Sequence, residues 1–161
     1  MNSRNPGRGK GLAAFYKEDK FSVAHTFSDE HLQITAFESE DLRVIGIYRS
    51  NIDTNVTMVL GHLIPDSCDC LVIGDLNICS RTASNHPALL LLRRKGFQIL
   101  VTGATHFGGN ALDQAWLRTT TDTPRVPNID IYSTYFNCKD HDAILFTLHS
   151  QKQKRMHSKY Y

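Results

Sequence analysis

The chain has 161 residues, of which 41% are hydrophobic and 21% are charged, and its formal net charge is +2 at pH 7. This length and composition are typical of one soluble globular domain with a buried core, and they exclude a low-complexity chain. No apolar run approaches the roughly 20 residues of a transmembrane helix, and no secretory signal follows Met1.

The positive charge is concentrated at the two ends of the chain. Arg4, Arg8 and Lys10 lie near the start with no acidic residue among them, and the last eleven residues hold four further basic residues and no acid. Basic ends can add affinity for phosphate, or they can be solvated tails. We predict a flexible basic N-terminus (1–11), a folded domain (12–149) and a basic C-terminal tail (150–161).

The first third of the chain predicts an antiparallel meander. Apolar and polar residues alternate in short runs that acidic or charged turns separate, at a spacing of about ten residues. The predicted strands are Leu12–Tyr16, Phe21–Phe27, His31–Phe37 and Leu42–Tyr48.

The remainder of the chain mixes helices with strands. Val56, Val59, Leu60 and Leu63 have helical spacing, and Ser84–Lys95 predicts a second helix. Ser84 or Asn85 would cap this helix, with Pro87 in its first turn and Gly96 as its stop. The predicted strands are Leu71–Asn77, Phe97–Val101, Leu112–Leu117, Ile129–Thr134 and Ala143–His149. The fold class is therefore mixed α and β with much antiparallel sheet.

The most informative stretch is Leu71–Asn77, in which three apolar residues lead into Gly-Asp-Leu-Asn. A short apolar run bounded by turn formers predicts a strand that is buried on both faces. In an extended backbone the side chains of Asp75 and Asn77 would leave the same face, where they could hold an anion, a metal-bound water or a hydroxyl. Alternatively, Gly-Asp simply ends the strand and Asn77 caps the next segment.

The four cysteines do not have the spacing of a zinc site. Cys68 and Cys70 are separated by one residue, and no paired Cys/His set follows them. We expect free thiols in a reducing compartment, so the predicted location is intracellular, nuclear or cytoplasmic rather than secreted.

Polar groups that suit phosphate and metal chemistry follow several strands. They are Tyr48-Arg49, Asp75 with Asn77, Asp113 with Gln114, and Asp140-His141-Asp142. Carboxylates suit a hard cation such as Mg²⁺, a histidine beside an aspartate exchanges protons near neutral pH, and amide, guanidinium and hydroxyl groups donate to phosphate oxygens. The pattern indicates metal-assisted hydrolysis of a phosphate ester.

These segments resemble the endonuclease/exonuclease/phosphatase superfamily, the DNase I-like proteins, over residues from about 10 to 149. The matching pieces are Val44–Arg49, Leu71–Asn77, Leu112–Trp116 and Lys139–Leu145, in the order that the family has them. The resemblance implies a four-layer α/β/β/α sandwich of two mostly antiparallel sheets. The run from Thr105-His106 to Asp113 is also similar to the endonuclease domains of mobile elements.

The resemblance implies a role for each matching residue. Asp75 would activate the attacking water, Asn77 would hold that water and the phosphate, and His141 would bind the scissile phosphate. Asp113 would orient His141, and Asp140 would contribute to a Mg²⁺ or Mn²⁺ site. Tyr48 and Arg49 would contact phosphate, and the substrate would be nucleic acid, with no membrane partner.

The chain also departs from the family pattern. Nothing matches the family's first strand-helix-strand, which carries an Asn and a metal-binding Glu. The metal site is therefore expected to form only if those ligands are supplied. The alternative to a metal-dependent phosphodiesterase is an inactive remnant or an incomplete gene model of a mobile-element endonuclease, which would at most bind nucleic acid.

Some residues near these motifs have simpler interpretations. His106 is expected to be a loop or packing histidine, and Trp116 is expected to lie in the core. Arg49 can also be interpreted as the partner of a nearby carboxylate on the surface.

Overall fold

A computed structural model describes residues 11–50, 52, 55–120, 127–132 and 140–148. The strands are β1 (Ser22–Ser28), β2 (Leu32–Glu38), β3 (Leu42–Arg49), β4 (Asp69–Asp75), β5 (Gln98–Ile99), β6 (Asp113–Arg118), β7 (Pro127–Tyr132) and β8 (Ala143–Leu148). The helices are α1 (Val56–Leu63) and α2 (Pro87–Arg94). The predicted N-terminus 1–11, except its last residue, and the predicted tail 150–161 lie outside the described residues.

Six strands form one sheet in the order β1-β2-β3-β4-β6-β5, and β7 pairs with β8 in a second sheet. The predicted meander is confirmed, because β1, β2 and β3 pair antiparallel. β3 and β4 run parallel, so the chain must cross over between them, and α1 lies in that crossover. β4 then pairs antiparallel with β6, which places it between two partners near the middle of the sheet.

Side chains of the large sheet alternate between two cores, as the period of a strand requires. Val72 and Trp116 face a core shared with α1 and α2, whereas Leu71 and Leu117 face the opposite side. Ile144 of β8, together with Leu148, packs against that opposite side. The described residues thus give helices, a six-stranded sheet and a second sheet, in that order. This mixed α/β arrangement confirms the predicted fold class. The expectations that β4 is a buried strand and that Trp116 lies in the core are also confirmed.

The predicted strand Leu12–Tyr16 is wrong. Among the described residues this segment pairs with no strand, and only Leu12 in it is half-buried. Its contacts involve side chains instead of a ladder: the backbone N–H of Leu12 donates to the side-chain Oε1 of Gln33 at 2.8 Å, and the rings of Tyr16 and Phe37 lie 4.8 Å apart. Its Leu-Ala-Ala-Phe-Tyr run has no polar alternation, so it lies across the sheet and lines an apolar cavity of about 720 Å³ rather than joining a ladder.

The ends of α2 differ in part from the prediction. The helix begins after His86, whose Nδ1 accepts the N–H of Ala88 at 3.2 Å, so neither Ser84 nor Asn85 is the cap. Gly96 ends the helix with a φ of +81°, as predicted.

Two further properties follow from the described residues. Neither helix in these ranges is long and apolar enough to cross a membrane. Cys68, Cys70 and Cys79 are free thiols, and Cys138 lies outside the described residues.

Position 74, just before the end of β4, requires a glycine. Gly74 has a φ of +136°, and a Cβ there would overlap the carbonyl oxygen of Ile47 and lie 2.9 Å from its carbonyl carbon. Gly74→Ala should therefore lower the free energy of unfolding in urea by more than about 3 kcal/mol.

Gly61→Ala is the matched control for this prediction. A Cβ at Gly61 meets only Leu91 Cδ2, at 4.0 Å, and the residue lies inside α1. This substitution should raise the free energy of unfolding by about 0.5–1 kcal/mol, because alanine is the better helix former. Equal effects of the two substitutions would contradict the assigned role of Gly74.

Candidate active site

The end of β3, the end of β4 and the start of β6 meet at one edge of the large sheet. Parallel neighbours end at the same edge, and an antiparallel neighbour begins there. The register pairs Tyr48 with Asp75, and Asp75 with Asp113. Residues directly opposite each other on neighbouring strands point to the same face. Three polar side chains from distant parts of the sequence are therefore placed side by side by the register alone.

The chain turns sharply directly after Asp75. Asp75 Oδ1 accepts the backbone N–H of Asn77 at 2.8 Å, and Asn77 has a φ of +49°. Asparagine tolerates this left-handed conformation better than most residues. The expectation of an extended backbone at Asn77 is therefore wrong, because β4 ends at Asp75. The alternative is confirmed in that the strand ends at Gly-Asp, whereas a capping role of Asn77 stays a prediction. The turn holds Asp75 beside Asp113.

His141 comes to this edge from the second sheet. It lies just before β8 and forms an isolated antiparallel bridge with His106. The Phe107 N–H donates to the Asp140 carbonyl at 3.0 Å, and the Asp142 N–H donates to the Thr105 carbonyl at 2.8 Å. These two bonds bracket His141 and place its backbone beside the loop that leads into β6.

Asp75, Asp113 and His141 form one cluster. Their ligand atoms all lie within 4.8 Å of one another. His141 Nδ1 is 2.8 Å from Asp113 Oδ2, and their side chains are 36% and 18% exposed. A carboxylate only accepts, so His141 Nδ1 carries the hydrogen and its Nε2 is left for other partners. The structure thus brings together three of the four residues predicted to be catalytic, and Asn77 follows one of them in the turn.

The electrostatics of the cluster shift the affinities of its members for protons. Burial alone would lower the pKa of His141, but the Asp113 hydrogen bond and the charges of Asp113, Asp75 and Asp140 raise it overall. Burial raises the pKa of Asp75, the Asn77 N–H lowers it, Asp113 raises it, and the two nearby histidines lower it, with a net rise. Burial and the neighbouring Asp75 raise the pKa of Tyr48. Shifts of this kind are typical of functional sites.

Arg49 takes a different position from that of a surface residue. It is 5% exposed, and its Nη1 donates to the carbonyls of Leu76 at 3.2 Å and Asn77 at 3.4 Å. Arg49 is therefore buried rather than on the surface, and its pairing with a nearby carboxylate stays a prediction. Its guanidinium supports the turn that carries Asn77, and its contact with phosphate stays a prediction.

Asp140 is exposed and lies outside the three-residue cluster. Its charge nevertheless acts on His141, since it contributes to the raised pKa of that imidazole. The assignment of Asp140 as a metal ligand stays a prediction.

Gln114 is a buried polar residue directly beside the site. It is 0% exposed and donates to the carbonyls of Ile78 and Ala111, while its Oε1 accepts the indole Nε1–H of Trp116 at 2.8 Å. Gln114 is therefore a structural residue, although it directly follows Asp113.

Sequence reasoning missed the role of Thr105. Its Oγ1 accepts the backbone N–H groups of Leu112 at 3.2 Å and Asp113 at 3.0 Å, and the residue is fully buried. Thr105 thus positions the start of β6, and with it the partner of His141. The only sequence signal was the run from Thr105 to Asp113, which by itself does not indicate that Thr105 contacts the start of β6.

The donor set fits a divalent cation. Asp75 Oδ1 and Asp113 Oδ2 bind Asn77 and His141, whereas the second oxygen of each carboxylate lies outside those two hydrogen bonds. Carboxylate oxygens are the ligands that Mg²⁺ and Mn²⁺ prefer. Asp75 and Asp113 are therefore the residues that would hold such an ion, with the imidazole of His141 at its side.

Among solved structures, the chain is similar to CdtB, the biologically active subunit of cytolethal distending toxin. The two share 12% sequence identity and a TM-score of 0.57 over 80% of this chain and 56% of the CdtB chain, so this chain spans about half of that protein. A second match, to a crystal structure named as a candidate acetyltransferase from Sphaerobacter thermophilus DSM 20745, has 12% identity and a TM-score of 0.41, over 74% of this chain and 82% of that one. No family model and no curated protein sequence matches the chain.

The similarity to CdtB confirms the DNase I-like fold that the sequence motifs predicted. At 12% identity it shows the fold alone. The arrangement of Asp75, Asp113 and His141 is therefore the basis for any statement about chemistry.

Asp113→Asn is expected to lower the pKa of His141. The amide removes the negative charge and weakens the hydrogen bond that offsets the effect of burial on the imidazole. An NMR titration of the histidine ring signals measures the change, with Asp66→Asn as the control because the Asp66 side chain is 89% exposed and pairs with Lys95. An unchanged pKa of His141 in Asp113→Asn would contradict the assigned contact.

Asp75→Asn is expected to raise the free energy of unfolding near neutral pH. The pKa of Asp75 is higher in the folded chain than its ordinary value of 3.8, so its ionised form costs stability above the folded-state pKa. The asparagine Oδ1 still accepts the Asn77 N–H. Urea unfolding at about pH 7 and about pH 3 tests this, because below 3.8 both states bind the proton and the gain disappears. If Asp75→Asn were less stable than the wild type near pH 7, the prediction would be wrong.

Proposed function

We propose that this chain hydrolyses phosphodiester bonds, with nucleic acid as the substrate class and a divalent cation as the cofactor. The observation that carries the proposal is the cluster of Asp75, Asp113 and His141 at one edge of a DNase I-like sheet. A divalent cation held by the two carboxylates would lower the pKa of water and neutralise charge on the leaving oxygen. The remaining chemistry belongs to side chains of this chain.

Asp75 would accept a proton from the attacking water. A carboxylate suits this step, because it accepts a proton and carries no hydrogen of its own. The Asn77 N–H holds one carboxylate oxygen and so orients the other. The side chain of Asn77, in the same turn, would hold the water and the phosphate together.

His141 would bind and stabilise the phosphate. Asp113 fixes its ring through Nδ1, which leaves Nε2 as the atom for substrate. The raised pKa favours the imidazolium form, which stabilises negative charge as it develops on the phosphate oxygens. Tyr48, opposite Asp75 in the register, would donate its hydroxyl to the same group.

Arg49 would act on the reaction mainly through the turn. Its Nη1 binds two carbonyls of the segment that carries Asn77, and the guanidinium would contact phosphate through its other N–H groups. Asp140 would assist the cation from the exposed side.

The test is cleavage of supercoiled plasmid and of a labelled RNA by the purified chain, with Mg²⁺, with Mn²⁺ and with EDTA. Cleavage should require a cation and should fall by about 10²–10⁴-fold in His141→Ala and in Asp75→Asn. Asp66→Asn, which alters an exposed carboxylate outside the cluster, should cleave at the wild-type rate.

Two outcomes would contradict the proposal. Cleavage that survives unchanged in both site variants comes from another enzyme in the preparation. No cleavage by protein whose folding is confirmed by urea unfolding favours the inactive alternative, and a filter-binding measurement with the same nucleic acids then decides whether the chain still binds them.

A further inference from the structure

A second imidazole lies beside the cluster. The rings of His106 and His141 are 5.0 Å apart between centroids, with an angle of 80° between their planes. The two residues also face each other in the antiparallel bridge that connects the loop before β6 to the start of β8. The expectation that His106 is a loop histidine is confirmed for its backbone, but its ring lies against the residue proposed to bind phosphate.

The hydrogen bonds of the two rings assign them opposite roles. His106 Nδ1 accepts the backbone N–H of Gly108 at 3.0 Å, so this nitrogen is bare and the ring hydrogen is on Nε2. His141 has the reverse arrangement, because Nδ1 donates to Asp113 and the neutral ring has a bare Nε2. The Nε2 of His106 is thus a donor in either charge state, whereas the Nε2 of His141 is a donor only in the imidazolium form.

The loop holds His106 before any substrate arrives. Its backbone N–H donates to the Asn110 carbonyl at 3.0 Å, and its own carbonyl accepts the Gly109 N–H at 2.8 Å. Gly109 has a φ of +78°, which closes the loop tightly. A side chain fixed at both its backbone and its Nδ1 loses little conformational entropy when it binds a ligand.

The ring of His106 also acts on the cluster electrostatically. His106 and His141 both lower the pKa of Asp75, which places both imidazoles within electrostatic reach of the same carboxylate. The geometry agrees, because the His106 ring lies 5.0 Å from the His141 ring and a His141 ring nitrogen lies within 4.8 Å of an Asp75 oxygen.

We propose that His106 is a second phosphate-contacting residue of this site, and that its Nε2–H donates to a non-bridging phosphate oxygen of the substrate. The proposal deepens the proposed function, on which it rests for the identity of the substrate. It assigns the two imidazoles separate tasks: His106 donates to an oxygen that is not displaced, and His141 stabilises the charge that develops.

The first test needs no variant and no turnover. Long-range proton–nitrogen NMR of the wild-type chain should show His106 as the Nε2–H tautomer and His141 as the Nδ1–H tautomer. Added inorganic phosphate should shift the ring signals of both residues together, with one dissociation constant. His25, which is exposed on β1 at the far edge of the sheet, should not shift.

Three substitutions then separate donation from packing. His106→Asn keeps an acceptor for the Gly108 N–H but ends short of Nε2, and it should raise the Kd for phosphate roughly tenfold. His106→Phe keeps a ring against His141 without the donor and should weaken binding similarly. His106→Gln restores an N–H near the Nε2 position and should recover most of the affinity, while His25→Asn should leave the Kd unchanged.

The outcomes distinguish this inference from the proposed function. Phosphate that shifts His141 but not His106, or a Kd unchanged in His106→Asn and His106→Phe, overturns the inference and leaves hydrolysis untouched. A chain that cleaves no nucleic acid but shows the His106 response refutes the hydrolysis and supports the contact. No response of either ring to phosphate overturns both.

Discussion

The hydrogen bond between Asp113 and His141 joins the two sheets at the site. Asp113 begins β6 of the large sheet and His141 precedes β8 of the small one, 28 residues later. The bond fixes the ring of His141, and the backbone bridge to the loop at 105–110 holds it in place. Thr105 completes this arrangement by binding the N–H of Asp113 from within the protein. The position of the His141 ring therefore depends on how the two sheets pack at this edge.

The cluster is costly to fold. Asp75 and Asp113 place two carboxylates side by side, and burial raises the pKa of Asp75 further. Both effects disfavour the ionised form of Asp75, and a nearby positive charge offsets both. The positive φ of Gly74 and of Asn77 lies on either side of Asp75, so the backbone is also constrained there. Strain and charge are thus concentrated at one strand end.

Most elements were predictable because their signals are local. The alternation of β2, the apolar run of β4 and the Pro87-to-Gly96 interval of α2 are each readable within a short window. The prediction failed at Leu12–Tyr16, where an apolar run without alternation lies across the sheet rather than within it. A strand needs a neighbour with free backbone groups, and no local pattern says whether such a neighbour exists.

The sequence by itself determined which residue types could form the site, because Asp75, Asp113 and His141 each follow or precede an apolar strand in recognisable motifs. Only the tertiary structure decided their arrangement. The parallel pairing of β3 with β4 brings Tyr48 opposite Asp75, and it buries Arg49 on the carbonyls of the turn. The same packing places the ring of His106 against His141. Such contacts depend on which strands are neighbours and in what register, and that choice is made by the burial of whole faces rather than by any single motif.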